Sequence, residues 1–176
     1  GVLAVAAGAG AVELPDPVAE DLHRRHHDAL VWAMTLEIEL LAVVDRLEGA
    51  GIEPVVLKGP ALAHLDAPDP ALRTFADLDL LVPADQLPDA VAMLVADGAI
   101  RRVAERRPGW DRRFAKSVTL QRPDGLELDL HRTLVDGAHG GRIPTRDLHR
   151  DRAGFELAGR SLWALAPVHR ALHSAL

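Results

Sequence analysis

Two short stretches of this chain, ADLDLLV at 76–82 and LELDLH at 126–131, alternate acids with leucines. In an extended strand, side chains i and i+2 share a face. Leu78 and Leu80 therefore turn one way, while Asp77 and Asp79 turn the other. Leu128 and Leu130 likewise oppose Glu127, Asp129 and His131. Such strands fit a sheet that is apolar on one face and meets water or positive charge on the other. Burying like charges without a partner is costly. A divalent cation removes that cost, and Mg²⁺ is commonly held by one or two carboxylates together with substrate phosphates. If the two strands are neighbours, Asp77, Asp79 and Asp129 converge. Three such carboxylates can hold two Mg²⁺ ions for in-line phosphoryl or nucleotidyl transfer. One Asp-x-Asp alone arises by chance in an acidic chain of this length, and a solvated strand end is the better explanation of it. The second acidic strand brings the two explanations level.

The surrounding pattern predicts helix over 16–49, with Leu30, Met34, Ile38, Leu41 and Val44 on one face and Gly49 and Gly51 closing it. A short strand is expected at Pro54–Leu57, ended by Lys58-Gly59, with Pro60 opening a short helix. DAPDPA reads as loop. The second strand is Leu78–Val82. A helix follows at Ala84–Ala96, with Leu87, Val91, Leu94 and Val95 facing inward and Gly98 as C-cap. Strands are expected at 99–104 and 114–121. A turn at Pro123-Asp124-Gly125 leads into the second acidic strand. Residues 136–160, rich in Gly, Arg and His, give no clear pattern, and APVHRALHSAL reads as a helix that stops abruptly. The order predicts an α/β (α+β) fold with a mixed sheet.

At 176 residues the chain fits one domain with a substantial core. Aromatics make up only 3%, so Leu, Val and Ala must fill that core. The absence of cysteine excludes disulfides and thiol catalysis and fits a reducing cytoplasm. A net charge of −6 argues against a nucleic-acid-binding surface. The cluster Arg101, Arg102, Arg106, Arg107, Arg112 and Arg113 reads first as a solvated stretch and second as a phosphate site. No apolar run reaches the ~20 residues of a membrane span. The start, GVLAVAAGAGAV, lacks the basic leader of a signal peptide. Its missing initiator Met suggests trimming.

Lysine occurs twice, at Lys58 and Lys116. A glycine after a strand, here Gly59, lets backbone approach a ligand, and amides at a helix start attract anions. A turn glycine beside a surface lysine accounts for the pair equally well. No Walker loop is present. Of nine histidines, His23, His26 and His27 share one helix face, as do His169 and His173. Such spacing can bind zinc, but without Cys or a His-Glu-x-x-His arrangement we expect solvated or core histidines. His131 differs, because it neighbours the acids.

Taken in order, VVLKGPALAHL, DPALRTFADLDLLVP, LVADGA and LELDLHRTL over residues 36–134 resemble the uncharacterised nucleotidyltransferase family of bacteria. That family lies in the DNA polymerase β-like nucleotidyltransferase superfamily. The resemblance implies a nucleotidyltransferase-like mixed β-sheet flanked by helices, two Mg²⁺ ions and a nucleoside triphosphate donor, ATP first. It implies metal binding by Asp77, Asp79 and Asp129, which are also the catalytic acids. Lys58 and Gly59 would face the triphosphate. Arg73 would contact phosphate or support its loop, and His131 matches the histidine after the third acid. Gly59-Pro60 departs from the superfamily's Gly-Gly or Gly-Ser, removing a hydroxyl and an amide. Lys116 would compensate if its strand lies beside Asp129. The implied division is a flexible or poorly ordered start at 1–15, a nucleotidyltransferase core with its leading helix at 16–135, and a helical C-terminal region beginning at 136–176. Relatives continue into further helices, which suggests a fragment. The expected activity is transfer of a nucleoside monophosphate to a small-molecule, peptide or protein acceptor hydroxyl. RNA is disfavoured by charge. A catalytically degenerate nucleotide- or partner-binding protein, regulatory or antitoxin-like, and another metal-dependent phosphotransferase or hydrolase are the alternatives.

Overall fold

The computed structural model describes residues 1–137, 140 and 142–175. Helices α1 (Val2–Gly8) and α2 (Asp16–Gly49) lead into strand β1 (Val55–Val56) and helix α3 (Pro60–Leu65). Strand β2 (Leu78–Leu81), helix α4 (Leu87–Ala96), strand β3 (Ile100–Arg101) and helix α5 (Trp110–Phe114) follow. Strands β4 (Ser117–Gln121) and β5 (Glu127–His131) precede helix α6 (Thr145–Arg150). Strands β6 (Ala153–Leu157) and β7 (Arg160–Ala164) and helix α7 (Pro167–Ser174) complete the described elements. The strands form one mixed sheet in the order β3-β4-β5-β2-β1-β7-β6. Within it β2 runs parallel to β5, and β1 runs parallel to β7.

Alternation along the central strands divides the core. Val56, Leu78, Leu80, Val118, Leu120, Leu128 and Leu130 pack with α2 and α4 into the main apolar layer. Val55, Leu57 and Leu81 turn to the opposite face and meet Leu134, Leu148 and Leu165 in a smaller cluster. The acidic residues of β2 and β5 share this second face, which helices cover only in part.

Helix α2 forms where expected but buries a different stripe. Leu36, Leu40, Val43, Val44 and Leu47 are enclosed, while Met34 and Ile38 are 63% and 70% exposed. The helix is apolar on more than one side, so three- and four-residue spacings fit two stripes, and the sheet engages the second. In α4, Ala90 takes the inward place expected of Val95. The helix begins at Leu87, because Pro83–Gln86 closes as a turn. Phe114 ends a short helix rather than starting a strand, so β4 begins at Ser117.

The termini also differ from expectation. Val2–Gly8 is helical, contacts α2 and buries Ala4. The region from 136 onward is not mainly helical, since β6 and β7 form a hairpin that extends the same sheet through β1. Phe155, Leu157, Leu162 and Ala164 face the main core. The hairpin turns on Ala158 and Gly159, both at positive φ (49° and 79°). Two-residue hairpin turns of this twist favour Asn-Gly or Asp-Gly, so Ala-Gly carries little sequence signal. The helix read in APVHRALHSAL is α7.

Leu80 has no exposed surface. Leu80→Ala should cost about 2–5 kcal/mol, whereas Ile38→Ala should change stability by less than about 0.5 kcal/mol. Urea midpoints check both, and equal losses would contradict the observed helix face.

Candidate active site

The pairing of β2 with β5 sets Asp79 directly opposite Asp129. Asp79, Asp129 and His131 each offer a ligand atom, all lying within 4.8 Å of one another. His131 Nε2 lies 2.7 Å from Asp79 Oδ1, and both side chains are buried. Thr119 sits opposite Asp129 on β4 and donates its hydroxyl to Asp129 Oδ1. One carboxylate is thus held by an imidazole and the other by a hydroxyl, both from the same sheet face.

Asp77 precedes the first residue of β2, is exposed and lies outside this tight group. The acids therefore converge as a close pair with a third carboxyl beside it. Partial burial raises the Asp77 pKa above the ordinary value, and Asp79 and Asp129 raise it further while Lys58 opposes them. For Asp79, burial is the largest influence and pushes upward. The His131 hydrogen bond and charge, with Lys58 and His173, outweigh it, so Asp79 lies below the ordinary range.

Lys58 follows β1 on the β2 side of the acids, where Leu57 N–H donates to Asp79 O. Gly59 adopts φ 46°, and a Cβ there would meet the Phe75 ring at 3.3 Å. Glycine is therefore needed at this turn. The helix start supplies fewer anion donors than expected, because Pro60 has no N–H and Ala61 N–H is bonded to Lys58 O. Lys116 stands across the acids, beside β4, where its carbonyl accepts from Arg132 N–H. Its strand does lie beside Asp129. Arg73 is exposed and lines a separate cleft with Asp66 and Arg170.

Residues 4–176 match the protein family described as uncharacterised nucleotidyltransferase. The chain belongs to this family. Among solved structures it resembles the lincosamide antibiotic adenylyltransferase LnuA, lincomycin-bound, at 16% identity and TM-score 0.52, covering 76% of this chain and 82% of that one. It also resembles a candidate nucleotidyltransferase from Thermotoga maritima at 14% identity and TM-score 0.55, covering 77% and 80%. These likenesses concern the nucleotidyltransferase fold. No curated protein matches the sequence. Among the described residues, no helix is long and apolar enough to cross a membrane.

Two residues beside this acidic pair escaped the sequence reading. Thr119 is visible only through the β4–β5 register. His173 attracted notice as half of a zinc-spaced pair, but neither helical histidine set belongs to the close ligand group. His173 is instead buried on α7, close enough to Asp79, His131, Lys58 and Lys116 to feel their charges. Arg170, three residues earlier on α7, holds that helix to Asp66 through contacts of 2.7 and 2.8 Å and to Leu165 O at 2.6 Å.

Burial, reinforced by Lys58, His131 and Lys116 against the opposing Asp79, lowers the His173 pKa from 6.5 to about 4. Between those values the unfolded chain binds a proton that the folded chain does not. Acid therefore favours unfolding. Stability in EDTA should fall as pH drops from 6.5 toward 4, by at most about 3 kcal/mol from this group. His173→Gln should flatten the profile. Denaturant midpoints across that range check it, and an unchanged profile in the variant would refute the assignment.

Proposed function

We propose that this chain is a Mg²⁺-dependent nucleotidyltransferase, moving a nucleoside monophosphate from an NTP, ATP first, to an acceptor hydroxyl with release of pyrophosphate. The observation that carries this reading is the pairing of Asp79 with Asp129 on adjacent strands, each steadied by its own polar neighbour. The donor set suits a hard cation, because two carboxylates supply oxygen ligands. His131 is engaged with Asp79, and so serves to orient that ligand. Asp79 and Asp129 would hold the metal, with Asp77 contributing from its rim. Magnesium bound there would offset charge on the triphosphate and the leaving group.

The acceptor oxygen attacks the α-phosphorus. A new P–O bond forms, the bond to the α–β bridging oxygen breaks, and pyrophosphate departs with that electron pair. Asp129, oriented by Thr119, takes the proton from the acceptor hydroxyl. Lys58, with the close backbone of Gly59, draws the β- and γ-phosphates toward the β1 side. Arg73 supports the loop that delivers Asp77. Positioning of this kind can supply much of the rate enhancement.

Incubating the chain with α-labelled NTP, Mg²⁺ and an extract of small molecules and proteins should transfer label to an acceptor. Asp129→Asn should reduce transfer by roughly 10²-fold or more, the scale of a lost proton-transfer group, and Asp79→Asn should reduce it by weakening the hold on the metal. NTP binding that persists without transfer by the unaltered chain would favour the degenerate binding role. Release of inorganic phosphate alone would sink the transferase reading.

A further inference from the structure

A cleft of about 520 Å³ opens beside β4, lined by residues of α5 and by Arg101, Val103, Ala104 and Arg106. Its size falls within the ordinary range of small-molecule sites. Thr119 belongs to both places: it lines the cleft and donates to Asp129. The cleft therefore begins one side chain from the proposed reacting centre. Lys116 lines it as well.

The lining combines cations with aromatic faces. Arg101 is engaged by Asp111 at 2.6 Å, so that pair cancels. Arg106 and Lys116 then outnumber Asp136, leaving the cleft positive in a chain of net charge −6. Trp110 packs against Phe114 with ring centroids 4.6 Å apart. Arg106 and Arg107 lie over Trp110 at 5.3 and 5.1 Å. Phe114 nevertheless remains 52% exposed and lines the cleft, an aromatic ring left open there. A flat ring carrying an anionic group fits this arrangement, since aromatic faces stack and guanidinium and ammonium groups take carboxylate or phosphate.

Topology separates this cleft from the donor side. In an in-line displacement, the attacking and leaving oxygens sit on opposite sides of the phosphorus. Lys58 and Gly59 lie past β1, on the β2 side of the acids, whereas the cleft lies past β5, on the β4 side. If pyrophosphate leaves toward Lys58, the attacking hydroxyl arrives from the cleft. Resting on the proposed transfer reaction, we infer that this cleft is the acceptor subsite and takes an anionic, ring-bearing hydroxyl compound. Lys116 then serves the acceptor rather than the triphosphate.

Calorimetry and tryptophan fluorescence on the full chain test this, with N-acetyltyrosine as the carboxylate probe and phenyl phosphate as the phosphate probe. N-acetyltyrosinamide is the uncharged control. At least one anion should bind about tenfold or more tighter than the amide, and the tighter one identifies the anion preferred. Arg106→Ala and Lys116→Ala should each weaken the anion about tenfold while leaving ATP binding unchanged. Trp110→Leu should abolish the fluorescence response, and Lys58→Ala should weaken ATP without affecting the anion. Equal binding of acid and amide, or anion binding indifferent to Arg106 and Trp110, overturns the inference. So does loss of ATP binding in those variants, which would make the cleft a donor site. Anion binding at the cleft without any nucleotide transfer removes the reaction itself. Transfer to an acceptor that ignores Arg106 and Trp110 removes only the acceptor role.

Discussion

The parallel pairing of β2 with β5 is the contact on which the rest of the molecule depends. It does two things with one register. Leu78 meets Leu128 and Leu80 meets Leu130, joining the apolar layer under α2 and α4. On the other face Asp79 meets Asp129. A slip of one residue would exchange the faces, driving acids into the leucine layer and leucines toward the site. The leucines thus hold the carboxylates together against their own repulsion. His131 and Thr119 reduce what remains, by hydrogen bonding an otherwise lone carboxylate on each strand.

This arrangement explains why the second face is half core and half site. Leu57 and Leu81 begin a smaller cluster with Leu134, Leu148 and Leu165, which seats α6 and the approach to α7. Arg170 then ties α7 to the loop after α3 through Asp66, a link across more than 100 residues of chain. Its bidentate geometry is the stronger form of ion pair. With α7 fixed, His173 is buried beside the acids. The C-terminal hairpin extends the same sheet, and the helix that follows it brings His173 beside the acids.

The sheet's centre was legible because alternation of leucine and acid carries both the strand and its orientation. The spacing also showed which acids share a face, but only pairing could show which face each other. Asp79 with Asp129 needed the register. The place of Asp77 at the rim needed to know that β2 begins at Leu78. Helix α2 was legible as a helix and not as a face, because Met34 and Ile38 complete an apolar stripe as good as the buried one. The β6–β7 hairpin was hidden by its Ala-Gly turn and by a strand that contains Gly154 and Trp163. His173 lay beyond any local pattern, since its neighbours come from β1, β2, β4 and β5. The family resemblance reached further than spacing did, supplying the family and the kind of fold, while the family match itself extends over nearly the whole chain.

The charges around the pair also account for the different conditions of its members. Asp79 is buried, yet its hydrogen bond to His131 and the cations beyond keep it readily ionised. Asp77 is more exposed, yet its two acidic neighbours make ionisation harder. Burial alone would predict the reverse order. The difference arises because His131 faces Asp79 and not Asp77, so the compensating donor is spent on the inner carboxylate. Under the proposed reaction, the inner carboxylate is the ligand that the fold itself keeps ionised more readily than an ordinary aspartate. The outer one gains most from an arriving cation, which would replace two repulsions with an attraction. Asp77 is then a carboxyl whose ionisation an arriving cation would assist, although Asp79 is the one more deeply built into the fold.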